Sequence, residues 1–98
     1  MPQAKCYSDA ATAWENKVVK TYAQLIAAAD PAEKPSLEAA QSAWEKYRDA
    51  EFEVISKFYG KRRGTGYISV RIIMRMKIVK ARALQLESWL ERVRSARQ

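Results

Sequence analysis

Residues 67–94 read YISVRIIMRMKIVKARALQLESWLERVR, and the spacing of their apolar side chains decides the fold class. Ile68, Ile72, Val79, Ala83, Leu86, Leu90 and Val93 recur at intervals of three, four or seven, the period of one helix face. At about 1.5 Å per residue such a helix reaches roughly 40 Å. Arg75 takes the seam position between Ile72 and Val79, and Arg71 and Arg82 flank it. A second apolar edge, formed by Val70, Ile73, Met74, Ala81 and Leu84, widens the stripe enough to cover two neighbouring helices.

Those neighbours lie upstream. A first helix is expected over residues 8–29, with Ser8 and Asp9 as caps and Ala11, Trp14, Val18, Tyr22, Leu25 and Ala29 along one face. Glu15, Lys17, Lys20 and Gln24 then point away from it. Asp30-Pro31-Ala32-Glu33 fits an N-cap, a first helical position and the third position of a capping box. Pro35 lacks an N–H and crowds the preceding turn, so a tight turn is expected, with regular helix from residue 36 to 59. Leu37, Ala40, Trp44, Tyr47, Val54, Ile55 and Phe58 form its apolar stripe, and Glu38, Glu45, Lys46, Asp49 and Glu53 its polar face. Residues 60–66, Gly-Lys-Arg-Arg-Gly-Thr-Gly, break the periodicity as a basic glycine-rich turn. The expected architecture is all-α: one domain over residues 1–98, with three long antiparallel amphipathic helices in a bundle.

Composition removes most catalytic classes. The chain has 98 residues, 48% of them hydrophobic, with three Gly and three Pro, which suits a folded helical domain. It contains no histidine, which takes away the commonest general base and metal ligand. Cys6 is its single cysteine, so neither an intrachain disulfide nor a cysteine-based zinc site can form, and neither metal nor cofactor is expected. Asp49 and Glu53, four apart on a helix, could converge as a carboxylate pair, but a solvated face explains them more simply. The glycine-rich turn lacks the strand and the Gly-Lys-Ser/Thr ending of a phosphate-binding loop. No apolar run is long enough to span a membrane, and the start of the chain carries no apolar signal core.

Charge divides the chain in two. Residues 1–56 hold six Lys/Arg and nine Asp/Glu, a balance of −3, whereas residues 57–98 hold twelve against two, a balance of +10. Such asymmetry points to an acidic partner. Lys61, Arg62, Arg63, Arg71, Arg75, Lys77, Lys80 and Arg82 could neutralise phosphates, which makes nucleic acid or another polyanion one reading. Few aromatic platforms accompany them, and no DNA-reading motif is present. A basic amphipathic helix can also lie on an anionic membrane. Its apolar stripe is needed to cover the other two helices, which places that reading third. A homodimer built on the long helices is a structural alternative.

The most specific feature is a set of polar residues at inward positions. Gln41, Trp44, Tyr47 and Arg48 of the second helix are expected to meet Arg82 of the third, with Glu51 as the nearest partner for Arg48. Residues 41–51, Gln-Ser-Ala-Trp-Glu-Lys-Tyr-Arg-Asp-Ala-Glu, resemble the Gln-x-x-Trp-x-x-Tyr-Arg-Asp-x-Glu motif of the LprI-like family of bacterial envelope proteins. Arg82 followed by Leu86 and Leu90 resembles that family's Arg-x-x-x-Leu ending, and Tyr22-x-x-Leu25 sits in a comparable place. The resemblance implies a small helical domain, periplasmic or at the cell surface, whose relatives include inhibitors of lysozyme. It marks Gln41, Trp44, Tyr47, Arg48, Asp49, Glu51 and Arg82 as the family-type positions. The family's usual cysteines are missing, and Phe52 stands where one of them would follow the Asp-x-Glu element. The implied partner is a lysozyme or another wall hydrolase, with Lys61, Arg62 and Arg63 as a cationic loop able to enter its acidic cleft.

Overall fold

The computed structural model describes residues 2–60 and 66–96. Among them are three α-helices and no strand: α1 (Pro2–Ala28), α2 (Lys34–Gly60) and α3 (Gly66–Ala96). The helical periodicities of the sequence are realised, with two changes at the ends. Ser8 and Asp9 do not cap α1; they lie on its exposed face, six and seven residues beyond a start at Pro2. Proline is tolerated there because a first-turn N–H has no intrahelical acceptor to lose.

The turn between α1 and α2 is tighter than Pro35 suggests. Ala29 N–H donates to Leu25 O at 2.9 Å, closing α1, and residues 31–33 turn the chain. Glu33 reaches back, and its Oε1 accepts from the Asp30 N–H at 2.9 Å, the reciprocal bond that a capping box requires. The helix then begins at Lys34, not Ser36, because Pro35 falls in its first turn, where no hydrogen bond is forfeited.

Side-chain pairings set the topology. Trp14 lies beneath Lys80 and Lys17 meets Glu87, so α3 runs parallel to α1. Gln41 meets Arg82 and Ser56 meets Arg75, so α2 runs antiparallel to α3. Each helix is therefore antiparallel to the next, and α3 packs against both others, most extensively along α1. The core combines Val18 and Leu25 of α1 with Val79, Ala83, Leu86 and Leu90 of α3. Trp14, Tyr22, Leu37, Trp44, Phe52, Trp89 and Val93 pack around that cluster. Phe52, at the position where the family's cysteine would stand, packs against this core from α2.

The α2 stripe is only half used. Ile55 is buried, but Tyr47, Val54 and Phe58 are exposed. A slender bundle explains this: its extents are 52 × 25 × 14 Å and its radius of gyration is 16.0 Å. About 13 Å would suffice for a compact chain of this length. No helix among the described residues is long and apolar enough to cross a membrane.

Candidate functional site

Arg82 is the organising residue. It sits at the middle of α3 with only 6% of its surface exposed, between α2 and the apolar core. A buried guanidinium is costly unless its N–H groups are satisfied. Here Nε and Nη2 both donate to Gln41 Oε1, at 3.0 and 2.8 Å, and Nη1 donates to Gln85 Oε1 at 2.7 Å. Two indole rings flank it, with Trp89 at 5.2 Å and Trp44 at 5.7 Å from the guanidinium carbon. Among the described residues no carboxylate forms a salt bridge with it. The charge is held by amide oxygens and ring faces, both of which stabilise a cation without a full counter-ion.

Burial lowers the Arg82 pKa from its ordinary value, and the Tyr22 phenol opposes that shift. Burial likewise raises the Tyr22 phenol; Glu38 and Glu45 add to the rise, while Arg82 works against it. The two groups are therefore electrostatic neighbours, joining α1 to the α2–α3 contact.

The remaining family-type residues separate into two sides of α2. Arg48 lies over the Trp44 ring at 5.1 Å and pairs with Asp49, with Nη2 to Oδ1 at 3.0 Å. Glu51 is not its partner. Successive residues step about 100° around a helix, so Asp49 and Glu51 fall on opposite flanks of Arg48. Tyr47, expected to face Arg82, is instead 53% exposed on the Glu51 flank. Gln41 is buried at the Arg82 contact. Of the seven positions, the structure brings Gln41, Trp44, Arg48, Asp49 and Arg82 together and leaves Tyr47 and Glu51 apart. Lys61, Arg62 and Arg63 lie outside the described residues.

A groove opens over this cluster between α1 and α2, which touch each other far less than either touches α3. It encloses about 410 Å³, with Glu15, Asn16 and Val19 on the α1 wall and Trp44, Glu45, Arg48 and Asp49 on the α2 wall. Val79 of α3 contributes to its floor. A second hollow adjoins it through Val19, Gln41 and Glu45 and adds Tyr22 and Glu38. Four carboxylates thus rim an apolar trough on a protein whose net charge is +7. A larger furrow of about 760 Å³ between α1 and α3 contains the Lys17–Glu87 pair and none of the family-type residues.

Gln85, Trp89 and the α1 wall of the groove were not singled out by sequence reasoning. Arg82, Gln85 and Trp89 are three and four residues apart, so helical spacing alone could have grouped them. The pairing of α1 with α2 left no such signal. No cluster of His, Cys, Asp or Glu suited to a metal occurs among the described residues. What the arrangement offers is a binding surface: an aromatic and cationic wall from Trp44 and Arg48, an acidic rim and exposed apolar contacts. A family model described as "Lysozyme inhibitor LprI" matches residues 1–86. No curated protein and no solved structure matches the chain.

Proposed function

We propose an inhibitory binding role for this chain, which belongs to the lysozyme inhibitor LprI family: it docks on a lysozyme or related wall hydrolase in the bacterial envelope, at the periplasmic side or the cell surface. The observation that carries the reading is the α1–α2 groove, where Trp44, Arg48 and Asp49 of the family-type motif line one wall. Its four rim carboxylates suit the positive surface of a basic hydrolase, and complementary charge speeds encounter and favours the right partner. Trp44 and Arg48 are residue types that concentrate binding energy at interfaces. In this reading Gln41 and Arg82 hold Trp44 in place, and Tyr47 and Glu51 bear on the partner from the outer flank. Lys61, Arg62 and Arg63 form a second contact, entering a cleft that contains catalytic carboxylates.

The test is turnover of a soluble oligosaccharide by lysozyme, with and without a molar excess of this protein. A soluble substrate is essential, since a basic protein coating an anionic wall would mimic inhibition. A dose-dependent fall in rate is expected, and no effect on any lysozyme type would overturn the reading. Glu45→Lys with Asp49→Lys should weaken inhibition through the groove, whereas replacing Lys61, Arg62 and Arg63 by Ser should weaken it through the loop.

A further inference from the structure

Two hollows between α1 and α2, of about 410 and 370 Å³, meet at Val19, Gln41 and Glu45 and make one continuous trough. Both of its walls are helix faces. On α1, Glu15, Val19 and Tyr22 are four and three residues apart. On α2, Glu38, Gln41, Glu45, Arg48 and Phe52 alternate three and four. From Glu38 to Phe52 the α2 wall rises about 21 Å, nearly four helical turns. The walls belong to helices that scarcely touch each other while both pack on α3. A fourth helix laid along them would complete a four-helix bundle.

The trough also specifies the chemistry of its occupant. Val19 stands where the hollows meet and is 69% exposed, with Trp44 and Phe52 half-buried on the opposite wall. Glu15, Glu38, Glu45 and Asp49 rim this apolar strip. Arg48 is the one cation among the described lining residues, and it is already paired with Asp49. Apolar surface within a charged rim marks an interaction site, and the sign of this rim calls for cations on the partner. An extended segment would lay unpaired backbone N–H and C=O groups against apolar side chains, because helical walls offer no backbone partners. A helix carries its backbone bonds within itself and presents side chains alone, as in other helix-in-groove recognition. A second copy docked face to face would set one acidic rim against the other. A small molecule would stay largely uncovered in a trough open along its length.

We infer that the trough receives a single amphipathic α-helix of the partner protein. Its apolar stripe lies on Val19, Trp44 and Phe52, and lysine or arginine on its two flanks meets Glu15 on one side and Glu38 and Glu45 on the other. This rests on the groove being the docking face for the hydrolase and names the element that enters it.

The test is an amide-shift titration of the full chain with a synthetic peptide of about 18 residues, long enough to hold helix by itself, with a leucine stripe between lysine flanks. Shift changes are expected at Glu15, Val19, Gln41 and Glu45, and none at Glu91 and Arg94 in the α1–α3 furrow. The same peptide with a proline at its midpoint, which breaks the helix, should bind at least tenfold more weakly. Replacing its lysines by glutamate should abolish binding. Val19→Asp should weaken binding of the original peptide roughly tenfold or more, since it sets a carboxylate under the apolar stripe. Glu15→Lys with Glu45→Lys should do so through the rim. Val19, Glu15 and Glu45 are all exposed, so both variants are expected to fold with unchanged circular dichroism. Absence of shifts, shifts gathered in the furrow, equal binding of the proline peptide, or binding that survives both variants each overturns the inference. Lysozyme turnover is read separately. A chain that takes the peptide in the trough but leaves every lysozyme active keeps the helix site and loses the inhibitor reading. One that inhibits lysozyme and ignores the peptide loses the helix site alone.

Discussion

Arg82 shows how one residue can be costly and indispensable together. Its charge is removed from water and held by two glutamine side chains and two indoles rather than by an acid. Gln41→Leu should therefore destabilise the protein by about 2–3 kcal/mol, the range for hydrogen bonds to a charged group left unmade in the interior. A denaturant titration checks this, and a midpoint equal to that of the parent would show that water replaces the amide. Tyr22 supplies the pH dependence. Its phenol holds its proton above the ordinary 10.0, so between that value and the folded pKa the unfolded chain binds fewer protons than the folded one. Stability contributed by Tyr22 is present below pH 10 and declines as pH rises through the folded pKa. Tyr22→Phe should flatten that alkaline decline, as thermal melts from pH 9 to 11 would record.

At the scale of elements, the α1–α2 turn and the two-faced α3 determine the packing. The Glu33 carboxylate satisfies the Asp30 N–H and stabilises the turn that sets α2 antiparallel to α1. Glu33→Ala should cost about 1 kcal/mol, read as a lowered melting temperature with unchanged helix content. A loss of helix content would instead show that the turn is needed for α2 to form at all. In α3, Val79, Ala83, Leu86 and Leu90 belong to the main core, whereas Arg75 and Arg82 make its contacts with α2. That division accounts for an arginine in a seam: the position faces a helix whose inward side is partly polar.

For the whole molecule, three long helices side by side give a slender bundle, not a compact one. Small-angle scattering should return a radius of gyration slightly above the 16.0 Å of the Cα trace, well beyond the roughly 13 Å of a compact chain. A value that climbs with concentration would reveal self-association. The same slenderness spreads opposite charges over different places, with an acidic rim at the α1–α2 groove and cations along α3. An overall balance of +7 conceals this, so net charge alone misjudges which partner the groove suits.

Sequence alone determined the helices, the capping turn and the family-type motif. Each depends on spacings of three or four residues, which helix geometry converts directly into a shared face. It also grouped Gln41 and Trp44 with Arg82, since inward polar residues at matching helix positions have few other places to go. Which residues the bundle leaves exposed is another matter. Tyr47, Val54 and Phe58 share the apolar stripe of α2 with Ile55, and periodicity cannot tell which of them a neighbour covers. Arg48 pairs with Asp49, which lines the groove, and the groove itself arises where α1 and α2 each pack on α3 more than on one another. Burial and pairing are decided by helices distant in sequence, so only the tertiary structure could settle them.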